Sequence, residues 1–350
     1  MTKRYIFPLL LGLFLLAGCK DETSVDPVAD YKPVLQNAAE AVIVQTYKNL
    51  DDRMAQLASA LQKLETNPGT PNLEAARQAW RDARQPWEQS EGFLFGPVEH
   101  QGIDPAMDSW PVNDVDLDNI LASPAALTKE YLDAQAGTVK GFHTIEYLLF
   151  GINATKTIDQ FDARQFEYLR ACAQSLNGET TRLYNAWALS GQNFSKNLLE
   201  AGTSASIYPS QKSALQELIN GLVTIADEVA NGKINDPFTQ QNVELEESRF
   251  SANSKIDFAD NIRSIRNIYL GSLNGSDGTG LSSIVKSKNA ALDQKIRNLI
   301  DASILKIETI PGTFTTAIFD QGPTVEAARN KVRDLQDALQ SELLPFFNNL

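Results

Sequence analysis

Histidine and cysteine are scarce in this sequence, two of each in 350 residues. His100 and His143 stand far apart, so there is no His pair four residues apart with an intervening glutamate, as a zincin helix requires. A histidine-rich zinc site would have to draw His100 in from a long connection. Cys19 and Cys172 supply no disulfide framework. Basic residues are in the minority: 31 Lys and Arg against 44 Asp and Glu leave a net charge of −13. That balance disfavours nucleic acid or anionic lipid as a partner. No apolar run approaches the roughly 20 residues of a bilayer-spanning helix. No run alternates apolar and polar residues between hairpin turns, so no strand is predicted.

What is present begins at the N-terminus. Lys3 and Arg4 precede an apolar run over 5–16, followed by Leu16-Ala17-Gly18-Cys19. A charged start, a short apolar stretch and small residues before a cysteine describe a signal peptide over 1–18. Leu-Ala-Gly-Cys resembles the bacterial lipobox, whose cysteine is acylated. Cys19 is thus the expected lipidation site and the lipid the expected membrane anchor, since several acyl chains hold far better than one. Loss of Lys3 and Arg4 moves the charge from −13 to −15. Residues 19–30 read as a polar tether. Lys20 after the cysteine argues against inner-membrane retention, and Lys20-Asp21-Glu22 also resembles a surface-export signal. The expected location is the outer membrane, at its periplasmic or its cell-surface face.

The rest reads as helix. Apolar residues recur at 3–4 spacing over 31–65, 72–92 (with Asn72 as N-cap), 161–189, 210–230, 258–270, 281–307 and 325–347. The fold class is all-α. Between 92 and 138 runs a different texture, rich in proline and aspartate, and its Ile103, Trp110, Leu117 and Ile120 predict an ordered connection packed on the bundle. The polar stretch 191–209 divides the chain into helical-bundle domains over 31–200 and 201–350. "HTIEYLLFG" (143–151) aligns without gaps on "RSIRNIYLG" (263–271), which predicts an internal duplication. Cys172, at helical spacing with Leu169 and Leu176, reads as a buried, inert thiol.

The residues with most chemical promise lie in "GFHTIEYLLFG" at 141–151. On a helix, residues three apart are neighbours, so His143 and Glu146 share a face. They can hold one metal ion, act as a catalytic pair, or form a buried hydrogen bond. Gly141 removes a side chain where a backbone or ligand could come close. In "ARQAWRDARQPWEQSEGFLFGP", Trp80 and Trp87 read as core and Arg77, Arg81 and Arg84 as a charged surface face. Glu88 and Glu91 beside Phe93 and Phe95 resemble a pocket lining.

Gly141-Phe142-His143-Thr144-Ile145-Glu146 matches the Gly-x-His-x-x-Glu signature of the imelysin proteins, also classed as M75 peptidases. "AWRDARQPWEQSEGFLFGP" (79–97), "DSWP" (108–111) and "ESRFSANSKIDFADNIRSIRNIYLG" (247–271) resemble further family segments. The resemblance implies two duplicated helical bundles with the signature at a cleft between them. Family members are outer-membrane or periplasmic proteins linked to iron acquisition, some beside iron transporters, which would be partner proteins here. Others were named as peptidases, with the histidine and glutamate as metal ligands. Carried over, His143 and Glu146 are the metal-binding candidates, with Glu88, Ser90, Glu91, Asp108, Trp110, Gly141, Ser248 and Ser251 as cleft candidates. Glu88, Glu91, Asp108, Asp114 and Asp116 suit iron or another oxygen-preferring divalent metal better than zinc. The favoured function is binding of iron or a small iron-bearing ligand in iron uptake. The alternatives are an M75-type metallopeptidase and a non-catalytic surface scaffold or adhesin. With an ordinary imidazole, metal binding would weaken below about pH 6.

Overall fold

The computed structural model describes residues 30–350; the signal peptide and Cys19 lie outside the described residues. Among the described residues there is no strand, and the all-α expectation holds. Eight long helices carry the architecture. Helix α1 runs over 32–66, with a π-helical turn at Ala38–Val44, and buries Leu50, Met54, Leu57, Leu61 and Leu64 along one stripe. Helix α2 is Thr70–Glu88. It starts ahead of the expected Asn72 cap because Pro71 stands in the first turn, where its fixed φ and missing N–H cost nothing. Helices α3 (Gly141–Phe150) and α4 (Ala163–Trp187) complete the first group. α1 packs along α2 and α4, and α3 lies on both α2 and α4.

The second group is α5 over 211–240, α6 (Ser254–Leu270), α7 (Ala290–Glu308) and α8 over 322–348. The sequence predicts an end to α5 at 230, before Asn231-Gly232. Instead a π-helical turn, Glu228–Ile234, carries the helix on to Gln240. The single helix expected over 281–307 is interrupted at Asn289, whose side chain accepts from Leu292 N–H and caps α7. α6 packs on α7, α7 on α8, and α5 on α6 and α8. The two segments aligned in the sequence close α3 and α6, and each stops at a glycine of positive φ, Gly151 at 64° and Gly271 at 75°.

Residues 31–350 form one compact unit. The groups meet where α2 packs on α6 and where the 3-10 turn Glu91–Phe93 packs on α5 and α6. Bare backbone makes this crossing close: a Cβ on Gly221 would lie 2.4 Å from Gly92 O, and one on Gly92 2.7 Å from Ser264 Oγ. The connection after it is ordered, as expected, in short helices including Ile103–Met107 and Asp114–Ala122, with Ile103, Met107 and Leu117 buried. Cys172 is buried on α4, and burial pushes its thiol up to about 12, which keeps it inert at neutral pH. No helix of the described residues is long and apolar enough to cross a membrane.

Candidate functional site

Helix α2 turns charge inward. Arg84 and Glu88, four apart, share the stripe that buries Trp80 and Trp87, and both are fully buried. The surface face expected at Arg77, Arg81 and Arg84 is therefore corrected. Arg77 is buried and donates to Leu149 O at 2.9 and 3.1 Å, and Arg81 is half-buried with its guanidinium 4.7 Å from the Phe150 ring centre. A buried charge needs partners. Arg84 has four: Glu88 and Asp108 in close ion pairs, Glu247 at 3.1 Å and Asp257 at 3.7 Å.

Helix α3 brings the imidazole to this point. Gly141 has φ of 78°, and a Cβ there would lie 2.2 Å from Met107 O. Only glycine lets the start of α3 press against the end of the Ile103–Met107 helix, which places Asp108 beside His143. We predict that Gly141→Ala costs about 2–4 kcal/mol, from the positive φ and the overlap together. Denaturant unfolding checks this, and a loss under 1 kcal/mol would show that the contact relaxes cheaply.

The two ring nitrogens of His143 face different surroundings. Nδ1 lies 3.1 Å from Glu146 Oε2, and Glu146 Oε1 accepts from both the N–H and the Oγ of Ser251, each at 2.7 Å. Nε2 lies 3.1 Å from Asp108 Oδ1 but is buried without a hydrogen bond of proper direction. Asp108 Oδ2 accepts from the Trp87 indole at 2.6 Å. Trp110, half-buried, leans over the site with its ring centre 6.0 Å from that of His143.

The far wall comes from the second helix group. Lys233, in the π-helical turn of α5, is buried, with Nζ 2.7 Å from Glu91, 3.1 Å from Glu247 and 3.7 Å from Glu88. Asn261 on α6 donates to Glu88 Oε2 at 2.7 Å and Glu91 Oε2 at 3.1 Å. Six carboxylates (Glu88, Glu91, Asp108, Glu146, Glu247 and Asp257) thus surround Arg84, Lys233 and one imidazole. Burial pushes the Glu88 and Glu91 carboxyls well above the usual range, and raises Asp257 to about 6 despite Arg84. Burial alone would lower the His143 pKa; the Asp108 carboxylate more than offsets it and holds the value near 9. Asp108 in turn resists burial through Arg84 and His143 and stays ionised far below the usual carboxylate range.

This arrangement can be set beside known proteins. The family model described as imelysin, of the M75 peptidase class, matches residues 43–344. The chain belongs to the imelysin family. Iron-regulated protein A of Synechococcus elongatus is 30% identical over 318 residues, 89% of this chain and 85% of that one. The crystal structure of a candidate iron-regulated protein A precursor from Parabacteroides distasonis superposes with a TM-score of 0.82 at 27% identity, over 91% of this chain and 95% of that one. An imelysin-like protein from Psychrobacter arcticus shares the fold at a TM-score of 0.75, with 17% identity over 91% and 95% of the two chains.

The imelysin signature residues and most of the cleft candidates meet here. His143, Glu146, Glu88, Glu91, Asp108 and Ser251 belong to one buried network, and Trp110 covers it. Ser248 is buried beside Asp257, whereas Ser90 turns its Oγ to Trp87 O at 2.6 Å and secures the end of α2. Asp114 and Asp116 are exposed on their own helix and His100 is exposed, so none joins the cluster. Sequence reasoning missed Arg84, Lys233, Glu247, Asp257 and Asn261. The signal for Arg84 was its four-residue spacing from Glu88 on the tryptophan stripe. Lys233, in "NGKI", carried none.

The residues present fit a hard divalent cation at one particular place. Asp108, His143 and Glu247 offer ligand atoms within 4.8 Å of one another, and the same holds for Glu88, Glu91, Asp108 and Glu247. Glu247 Oε2 is buried without a hydrogen bond, and the buried His143 Nε2 has Asp108 Oδ1 as its neighbour at 3.1 Å. Glu146 stands on the other side of the ring, saturated by Ser251 and by Nδ1. Its geometry is that of a residue which orients the imidazole, as second-sphere carboxylates do.

Proposed function

We propose that this imelysin-family chain binds iron, or a small iron-bearing ligand, at the buried group Asp108–His143–Glu247 between the two helix groups. The observation that carries the reading is the buried Nε2 of His143, which faces Asp108 Oδ1 at 3.1 Å and groups with Glu247 as a third ligand. Imidazole with carboxylates is a donor set for ferrous iron rather than for a thiol-preferring metal. The excess of buried carboxylates over cations supports it, because protons held on Glu88, Glu91 and His143 can be exchanged for one divalent charge. The names of the Synechococcus and Parabacteroides relatives point to iron as well.

Anaerobic titration with ferrous ion, read by calorimetry, tests this. We expect one ion per chain, with protons released in proportion. Glu146→Gln should weaken binding about 10–100-fold while leaving the stoichiometry at one, since it loosens the imidazole without removing a ligand. An unchanged affinity in that variant would show that the ring needs no orienting carboxylate. A wild-type protein that takes up no ferrous ion would sink the reading.

The reading extends to location and partners. Acylated Cys19 would hold the protein at the outer membrane, and the cargo would pass to an iron-transport system. Cys19→Ser should then release the protein into the soluble fraction; a variant that still labels with radioactive palmitate would refute the anchor.

A further inference from the structure

We propose that Trp110 is the specificity-determining cover of the site: it closes over a bare divalent ion, sets the rate at which that ion enters and leaves, and keeps chelated iron out. The inference rests on the reading of Asp108, His143 and Glu247 as the ion's ligands, and it takes the free ion rather than an iron-bearing ligand as the cargo.

Trp110 separates the imidazole from solvent. His143 is buried, and so are Asp108 and Glu146, the partners of its two nitrogens. Trp110, whose ring centre stands 6.0 Å from that of His143, is only half-buried. The same indole lies with its centre 5.5 Å from Lys233 Nζ. One aromatic ring therefore spans the imidazole of α3 and the ammonium of α5, and an aromatic face favours a cation. Trp80, Trp87 and Trp187 are fully buried in the core; Trp110 alone of the four tryptophans is not.

The backbone that carries the ring is held only at its ends. Asp108 N–H donates to Asp104 O at 2.9 Å, and Asn113 N–H donates to Thr138 O at 3.0 Å. Between these anchors, residues 109–112 belong to no helix and make no backbone–backbone hydrogen bond to any of the described residues. Swinging the indole outward thus breaks no backbone bond. It costs the ring its contacts with His143 and Lys233, and segments held in this way open at low free energy.

The donors select the cargo. Asp108, His143 and Glu247 offer atoms within 4.8 Å of one another, a spacing that lets all three bind one ion directly. An ion wrapped by a chelator has those positions filled already, and its organic shell would need the space that Trp110 occupies. A bare ion needs neither, and passes when the indole swings aside.

The test has a metal-free and a metal-loaded arm, both on the purified protein. In the first, diethyl pyrocarbonate acylates accessible imidazoles at about pH 9, the value near which His143 sheds its proton. Mass spectrometry reads His143 against the exposed His100. We expect His143 to be protected in the wild type and in Trp110→Phe, and to react about tenfold faster in Trp110→Ala, because a closed cover sequesters what lies beneath it. In the second, anaerobic stopped flow follows ferrous ion taken up by the protein and released to a chromogenic chelator. Trp110→Ala should speed uptake and release together, each about tenfold, whereas loss of a ligand would speed release alone. Radiolabelled nitrilotriacetate, supplied as its ferrous complex, should stay out of the wild type and remain with the iron in Trp110→Ala. Should Trp110→Ala lose its helical circular dichroism, Trp110→Val is read by the same criteria. Equal acylation of His143 in wild type and variant overturns the proposal, as do unchanged exchange rates, faster release alone, or nitrilotriacetate treated alike by both proteins. Protection lost only in the variant, in a chain that takes up no ferrous ion, upholds the cover and refutes the ion site beneath it.

Discussion

Arg84→Met is expected to destabilise the fold by about 3–5 kcal/mol at pH 8, seen as a fall in denaturant midpoint at unchanged slope. Methionine fills much of the space, so the loss would not come from a cavity. It would come from charge: Glu88, Asp108, Glu247 and Asp257 all contact the guanidinium, and all are buried. Taking away one partner leaves carboxylates that water cannot reach. An exposed pair such as Lys48 with Asp52 offers the contrast, because solvent screens it and either partner left alone stays hydrated. The deficit in Arg84→Met should shrink on acidification. Glu88 and Glu91 have pKa values raised well above the usual carboxylate range, so their ionised forms are the ones the fold tolerates poorly. A group with a raised folded pKa gains stability as pH falls through that value. The variant should therefore recover part of its loss between pH 8 and pH 5. A loss below 1 kcal/mol at pH 8 would show that the cluster neutralises itself by other means.

Much of this fold could be read from periodicity alone, and the exceptions have specific causes. Helices α1, α2, α4, α6 and α8 follow stripes of apolar residues that recur every three or four positions. Asn231-Gly232 looked like a stop and was not, because a π-helical turn absorbs residues that an α-helix would reject. Asn289 looked like helix interior and was a cap, since its side chain offers an acceptor to the next helix. The site was legible where its residues are rare or out of place, a lone histidine on an apolar helix and acids beside aromatics, and Asp108 and Trp110 were reached only through the family resemblance of "DSWP". It was illegible where an ordinary residue acquires its role only through packing. Lys233 and Glu247 contact residues 142 and 163 positions earlier in the chain, and nothing local in "NGKI" or "ELEES" records that meeting. Arg84 was misread because a charged residue on a helix is most often solvated. Here the same stripe that buries the tryptophans buries the guanidinium.

His143→Ala should weaken ferrous-ion binding by 100-fold or more, and the pH dependence of the wild type identifies the reason. The sequence alone would place the loss of binding below about pH 6, the range of an ordinary imidazole. The structure moves that window upward. His143 holds its proton to about pH 9 because of Asp108, and a metal at Nε2 must displace that proton. Affinity should therefore rise about tenfold per pH unit from neutrality toward pH 9 and then level off, and His143→Ala should lack that rise. Peptidase chemistry asks more of the site. It requires a metal with an open position, an activated water and a free general base. Glu146 is a poor base here, since Ser251 and His143 already occupy both its oxygens. Glu88 and Glu91 are engaged by Arg84, Lys233 and Asn261. The network is buried, which leaves an extended peptide no course past His143. We therefore expect no metal-dependent cleavage of unfolded polypeptide, together with a rise in melting temperature on adding ferrous ion, because a ligand that prefers the folded chain stabilises it. Cleavage that a chelator abolishes, that metal restores and that His143→Ala lacks would replace binding with proteolysis as the function. Neither cleavage nor a thermal shift with any of iron, manganese, zinc or calcium would leave a non-catalytic scaffold whose buried charges serve only to join two helix groups.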